Sequence, residues 1–305
     1  FSNAYARYRN RALTSPWVSG NRVSRAWAED AHLTPRWVTD VTPLEKYRDA
    51  RLLWVDADNL VLDQACADRL VAYARGGGCL VLSTEVGRYT VDTAQADFGL
   101  LRRLAVSELA PETAAGANAM SAADSPLAGS TLRLSSRRGC RVPDGAEVWA
   151  RSDDGAPLVW SWRFGQGEVV LLGGAVDWDH TNGLLRAICQ RRGVRRWAEV
   201  DDPRLRVYGL QASGTRYTVV SFYQHLHQIR GTRDYVQYAK GKEIPFDAAQ
   251  AGVRVLDLPP GRYHVTEALH GTDLGVHTAD DLAAGLPVEV ITADVKVLKC
   301  TPVTD

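Results

Sequence analysis

Two acidic residues, Asp56 and Asp58, follow the apolar run "RLLWV" and could transfer protons or hold a metal. Open α/β sheets bind ligands beyond the carboxyl ends of their strands, which is where these side chains would lie. Acidic residues after a strand also form turns, because their carboxylates accept hydrogen bonds from nearby backbone amides. We interpret Asp56 and Asp58 mainly as turn formers and keep them as candidate ligand or interface contacts.

A second polar group, in "GGAVDWDHTNG", contains Asp177, Trp178, Asp179 and His180 and also follows a buried apolar run. His180 could serve as the base of a nucleophile pair, and Trp178 could stack on a sugar ring. In the alternative interpretation, Asp179 or Thr181 caps the next helix while Trp178 packs beneath it. A base without a nucleophile has nothing to activate, so the structural interpretation is favoured. These residues too remain candidate ligand or interface contacts.

The sequence lacks the pattern of an exposed nucleophile. Hydrolases of the α/β type carry Ser or Cys on a sharp strand-to-helix turn with small flanking residues, and the bend after Val55 has neither. Cys79 begins a predicted strand, so its sulfur should point into the sheet. His225 and His227 alternate along one strand, but a metal needs at least a third ligand. We therefore predict no catalytic, cofactor-binding or metal residues, and no cofactor.

Composition limits the partners and the compartment. The 305 residues have a formal net charge of zero, so they lack the surplus of Lys and Arg that nucleic acid requires. No apolar stretch approaches the roughly 20 residues needed to cross a bilayer, so we expect no membrane partner. The five cysteines are far apart and are predicted to be unpaired, which favours the cytoplasm only slightly. The single methionine, Met120, leads us to expect that residues 1–19 are the remnant of an upstream region.

The apolar pattern predicts two domains. Residues 51–83 read as strand, helix, strand, with Asp63 capping the helix and three glycines ending it. The pattern predicts a flavodoxin-like or class I amidotransferase-like α/β domain over residues 20–198, with a mostly parallel sheet and flanking helices. Short strands separated by Gly, Pro and Asp turns then predict a β-sandwich over residues 199–305.

Two stretches carry a resemblance to a known family. "LEKYRDARLLWVDADNLVLDQACADRLVAYARGGGCLVLST" and "PLVWSWRFGQGEVVLLGG" resemble the amidotransferase-like trimerisation domain of family 42 glycoside hydrolases, the microbial β-galactosidases. In that family the catalytic glutamates lie on a (β/α)8 barrel that precedes this domain. No such barrel is present in this sequence, so no catalytic glutamate is assigned to any position. Related agar- and β-glycan-cleaving enzymes resemble the same pattern, so the substrate stays open.

The resemblance implies a non-catalytic accessory region of a microbial glycoside hydrolase. Its expected partners are an upstream catalytic barrel of the same polypeptide, two further copies in a homotrimer, and the carbohydrate substrate of the parent enzyme. Two alternatives remain open. One is a carbohydrate-binding module that uses Trp178 or exposed aromatic residues, and the other is a divergent amidotransferase-like or esterase-like hydrolase that uses His180.

Overall fold

The structure, a computed structural model, describes twelve segments of the chain. These are residues 32–36, 38–55, 61–89, 96–113, 117–121, 125–127, 131–134, 136–175, 181–202, 205–222, 248–291 and 295–303. The chain divides into two compact units, one containing Pro35–Val194 and the other containing Ala28–Thr34 and Arg195–Asp305.

The first unit is built on one seven-stranded sheet with the strand order β1-β2-β7-β6-β5-β3-β4. Its strands are β1 (Leu52–Val55), β2 (Cys79–Ser83), β3 (Ala117–Ser121), β4 (Thr131–Leu134), β5 (Glu147–Ser152), β6 (Pro157–Phe164) and β7 (Gly167–Leu172). Its helices are α1 (Gln64–Arg75), α2 (Gly99–Arg103) and α3 (Thr181–Arg191). Only the pairs β1–β2 and β2–β7 are parallel, and every other pair in this sheet is antiparallel.

The prediction of a flavodoxin-like or amidotransferase-like, mostly parallel sheet is wrong. Between β2 and β7 the chain forms four further strands where a doubly wound fold would have crossover helices, and these strands pair antiparallel. One of them, β3, lies in a stretch rich in Ala, Gly and Ser, residues 111–130, a composition that is more typical of a loop. Strands predominate over helices throughout the described residues, with three largely antiparallel sheets in total.

The parallel part of the sheet is buried on both faces, as its apolar sequence predicts. All five residues of β2 are buried. Leu80 and Leu82 enter the core that includes α1, whereas Val81 enters the opposite core, which includes residues of α3. Burying one such side chain stabilises the fold by about 1.5–3 kcal/mol. The predicted helix between β1 and β2 is also confirmed, since the Asp63 side chain caps α1 by accepting from the amide of Cys66.

Two glycine-containing turns of the first unit touch backbone to backbone. The turn after α1 contains Gly77 and Gly78, and the β6–β7 hairpin turn contains Gly165 and Gly167. The amide of Glu168 donates to the Gly78 carbonyl at 3.1 Å. A Cβ at Gly167 would overlap carbonyl oxygens of the first turn, and Gly165 has the left-handed φ of +63° that favours glycine. The glycines therefore permit a close approach that side chains would block.

The second unit contains two antiparallel sheets and one short helix. The five-stranded sheet has the order β13-β12-β15-β10-β9 and the three-stranded sheet has the order β14-β11-β8. The strands are β8 (Ala198–Val200), β9 (Leu205–Ala212), β10 (Thr215–Phe222), β11 (Ala248–Val255), β12 (Arg262–Glu267), β13 (Thr272–Thr278), β14 (Leu286–Ile291) and β15 (Val295–Pro302), and the helix is α4 (Ala279–Ala284). Both sheets contribute buried side chains to one core. Among the described residues of the whole chain, no helix is long and apolar enough to span a bilayer.

The buried carboxylate of Glu267, at the end of β12, forms hydrogen bonds with the turn that follows and with β15. Its oxygens accept hydrogen bonds from the amides of Leu269, His270 and Val297 at 3.2, 2.8 and 3.0 Å, and Nδ1 of His270 lies 2.6 Å away. Burial alone would raise the pKa of Glu267, but these hydrogen bonds outweigh it and hold the pKa at about 2. Because this pKa is below the ordinary value of 4.5, the stabilisation is present above that value and is lost as the pH falls through about 2.

We expect Glu267→Gln to loosen this turn, because a neutral amide is a weaker acceptor than a carboxylate. Hydrogen bonds to charged groups contribute about 1.5–3 kcal/mol, so hydrogen-exchange protection of the Leu269, His270 and Val297 amides should fall at least about tenfold at neutral pH. Glu289→Gln, at an exposed position of β14, is the matched control and should leave protection unchanged. Equal protection in both variants would contradict the assigned role of Glu267.

Candidate functional site

The six residues that the sequence identifies as candidates lie outside the described residues: Asp56, Asp58, Asp177, Trp178, Asp179 and His180. His225 and His227 also lie outside them. The structure does describe the strand before Asp56 and Asp58 and the strand before the group that begins at Asp177. β1 ends at Val55 and β7 ends at Leu172, and both are parallel neighbours of β2, so the three strands end at one edge of the sheet.

At this edge the described residues contain a buried ion pair between Glu85 and Arg138. Nε of Arg138 lies 3.0 Å from one oxygen of Glu85, and Nη2 lies 3.4 Å from the other. The two side chains are only 6% and 4% exposed. The backbone amide of Arg138 donates to the carbonyl of Gly173, just after β7, so the pair links the segments that follow β2 and β7.

Neighbouring groups complete the surroundings of this pair. Nη1 of Arg138 donates to the carbonyl of Ala110 at 2.6 Å, and the guanidinium carbon lies 5.0 Å from the centre of the Phe98 ring. Arg88 bridges Glu85 and Glu112, at 3.5 and 3.1 Å. Both oxygens of Glu85 are therefore engaged by guanidinium groups. This arrangement suits a structural ion pair better than it suits proton transfer, which needs a carboxyl group that a substrate can reach.

Glu85 is not among the candidate residues that the sequence identifies. The signal was present, because "TEVG" follows the buried strand "CLVLS" in the same way that Asp56 follows "RLLWV". Its partner Arg138 lies 53 positions along the chain. Only the folded sheet brings these two residues together.

Four cysteine thiols of the described residues are poor nucleophiles. Desolvation by burial raises the pKa of Cys66 and of Cys79 to about 12, and that of Cys140 and of Cys300 to about 11. The thiolate is the reactive form of cysteine, so neutral pH leaves very little of it at these positions. Cys79, at the start of β2, is fully buried. These thiols therefore behave as core groups.

An open polar cleft of about 400 Å³ lies in the first unit, near the start of β7. Its floor includes Ser161 and Glu168, which are 3% and 9% exposed, and the Ser161 hydroxyl donates to Glu168 at 2.5 Å. At the C-terminal end of α3, Nε of Arg191 lies 3.4 Å from Glu168 and its Nη2 lies 3.3 Å from Glu147. Arg192 approaches Glu168 to 3.7 Å. The cleft therefore brings carboxylates and guanidinium groups together at a surface that solvent can reach.

Comparison with solved structures relates this fold to microbial β-galactosidases. A β-galactosidase from Bacillus circulans sp. alkalophilus matches 94% of the chain at 16% identity, with a TM-score of 0.65. A structure of Gan42B, a GH42 β-galactosidase from G. stearothermophilus, matches 95% at 13% identity, with a TM-score of 0.66. The enzyme from the haloarchaeon Halorubrum lacusprofundi matches 97% at 15% identity, with a TM-score of 0.57.

The matched region is only part of each of these enzymes. The chain spans 38%, 37% and 38% of their lengths, respectively. No family model matches the sequence, and no curated protein matches it. The chain therefore has the fold of a partial GH42-like region, and at these identities the likeness concerns the fold alone.

We expect Glu85→Gln to destabilise the first unit by about 1.5–3 kcal/mol, because a neutral amide replaces the carboxylate that contacts the buried Arg138 guanidinium and leaves it only Glu112, at 3.6 Å, as a charged partner. Glu108 forms an exposed ion pair with Arg141 at 3.2 Å, so Glu108→Gln is the matched control, with an expected change below about 0.5 kcal/mol. Urea unfolding of both variants checks this. A cost for Glu85→Gln no larger than that of the control would contradict the structural role of the pair.

We also expect the folded chain to resist alkylation at Cys66, Cys79, Cys140 and Cys300. With pKa values of about 11–12, iodoacetamide at pH 8 should label these thiols at least about a hundredfold more slowly than free cysteine. Peptide mass spectrometry gives the rate at each position, and labelling in urea is the positive control. A thiol that reacts as fast as free cysteine would identify a nucleophile and contradict this account.

Proposed function

We propose that this chain is a non-catalytic accessory region of a microbial glycoside hydrolase. The observation that carries the proposal is the match to β-galactosidases, which covers nearly all of this chain and only 38% of the Bacillus circulans enzyme. On this view the reaction belongs to a (β/α)8 catalytic barrel elsewhere in the same polypeptide. The accessory region packs against that barrel and supports association of the protein into a homotrimer.

The chemistry of the described residues supports this role. The carboxylate at the carboxyl end of β2, Glu85, is buried and bound by Arg138. In the open cleft, Arg191 lies between Glu147 and Glu168. A glycosidase needs one carboxyl group that can give a proton and a second that can attack the sugar or activate water. Carboxylates that guanidinium groups already bind are poorly placed to contact the reacting atoms of a sugar, which suits neither of these tasks.

The purified 305-residue chain should not hydrolyse p-nitrophenyl β-D-galactopyranoside or p-nitrophenyl acetate faster than the heat-denatured chain does. Turnover that co-elutes with the protein through a second purification would contradict the proposal and favour the hydrolase alternative. Light scattering on the same sample reports self-association, with an expected shift toward three times the 33.4 kDa of one chain as concentration rises. A single-chain mass at every concentration would contradict self-association by this region.

A further inference from the structure

The open cleft near the start of β7 has a chemistry that the proposed accessory role does not require. Its floor is the hydrogen-bonded pair of Ser161, which is 3% exposed, and Glu168, whose side chain is 12% exposed. Glu147, Arg163 and Gln166 are exposed residues of its lining. A volume of about 400 Å³ falls in the range of roughly 300–1,000 Å³ that small-molecule sites occupy.

The charges of the lining select the kind of ligand. Three guanidinium groups, those of Arg163, Arg191 and Arg192, face two carboxylates, those of Glu147 and Glu168. A phosphate or other anion would meet the carboxylates at close range, and a metal ion would meet the guanidinium groups. A neutral molecule avoids both repulsions. The mixed charges therefore disfavour ions of either sign.

The free donors and acceptors of the cleft indicate which kind of neutral ligand it could bind. The only hydrogen bond of the Arg163 side chain within the described residues joins its Nε to the Gly165 carbonyl at 3.3 Å, which leaves its terminal nitrogens as donors. Glu147 meets Arg191 through Oε2, so its Oε1 is available as an acceptor. A hydroxyl group both donates and accepts. Adjacent hydroxyls on one ring can therefore engage a guanidinium group and a carboxylate at the same time.

We propose that this cleft binds a pyranose ring of a neutral saccharide. Glu147 accepts from one ring hydroxyl, the terminal nitrogens of Arg163 donate to a neighbouring one, and the buried Ser161–Glu168 pair holds Arg191 in place behind Glu147. Sugar binding goes beyond the accessory role, which requires only packing against the catalytic barrel and association of the chains. It depends on the lining of the cleft alone, so it stands or falls separately from the turnover assay.

The test is saturation-transfer NMR on the whole chain with methyl β-D-galactopyranoside, and with methyl β-D-glucopyranoside as a second sugar. The variants Glu147→Gln and Arg163→Ala each remove one charged hydrogen-bonding group at an exposed position, so both should fold normally. Glu108→Gln, which removes a carboxylate from an exposed ion pair outside this cleft, is the matched control. Thermal unfolding of each variant confirms that the fold is intact.

We expect a saturable signal with at least one pyranoside, equal in the unaltered chain and Glu108→Gln. The dissociation constant should rise about tenfold or more in both Glu147→Gln and Arg163→Ala, as loss of a hydrogen bond to a charged group predicts. No saturable signal with either sugar would overturn the proposal. So would binding that both cleft variants leave unchanged, or displacement of the sugar by millimolar inorganic phosphate, which would indicate an anion site.

Discussion

The first unit depends on the close approach of two backbone turns. The turn after α1 and the β6–β7 hairpin turn meet without side chains between them, and the amides of Gln166 and Glu168 donate to the carbonyls of Arg75 and Gly78. This contact places β7 beside β2 and in register with it. β7 is parallel to β2 and antiparallel to β6, so the sheet changes from parallel to antiparallel pairing at this strand.

The two ends of the parallel strands carry polar clusters with opposite properties. Beyond the carboxyl end of β2, Glu85 and Arg138 are almost fully buried, and two mutual hydrogen bonds offset part of the desolvation cost of the two charges. Near the start of β7, the Glu168 side chain is more exposed, at 12%, and Arg191 contacts both it and the exposed Glu147. The same residue types therefore close one end of the sheet and leave a cleft at the other. The two clusters differ in burial and not in composition: the buried Glu85–Arg138 pair is structural, whereas ligands can reach the cleft that contains Glu147 and Arg191.

Local features of this fold could be predicted from the sequence, whereas pairing between distant segments could not. Asp63 caps α1 and the glycines end it, because both effects act within one helical turn. The prediction of a mostly parallel sheet was wrong, since the sequence of a buried apolar strand looks the same in parallel and antiparallel sheets. The small residues of β3 carried no strand signal. The pairing of Glu85 with Arg138 needed the folded sheet, so that cluster was missed.

The five cysteines, all of which the structure describes, form no disulfide, and four of them are buried in the two units. While the chain is folded they are shielded, but unfolding exposes every thiol in the same molecule at once. Thiolates in an unfolded chain attack any disulfide present, and the mispaired links that result are incompatible with the native packing. Oxidation of the unfolded chain would then prevent it from refolding, so that transient unfolding leads to loss of native protein. The working lifetime of this protein should therefore be set by the rate of unfolding and by the supply of reductant, and much less by its equilibrium stability.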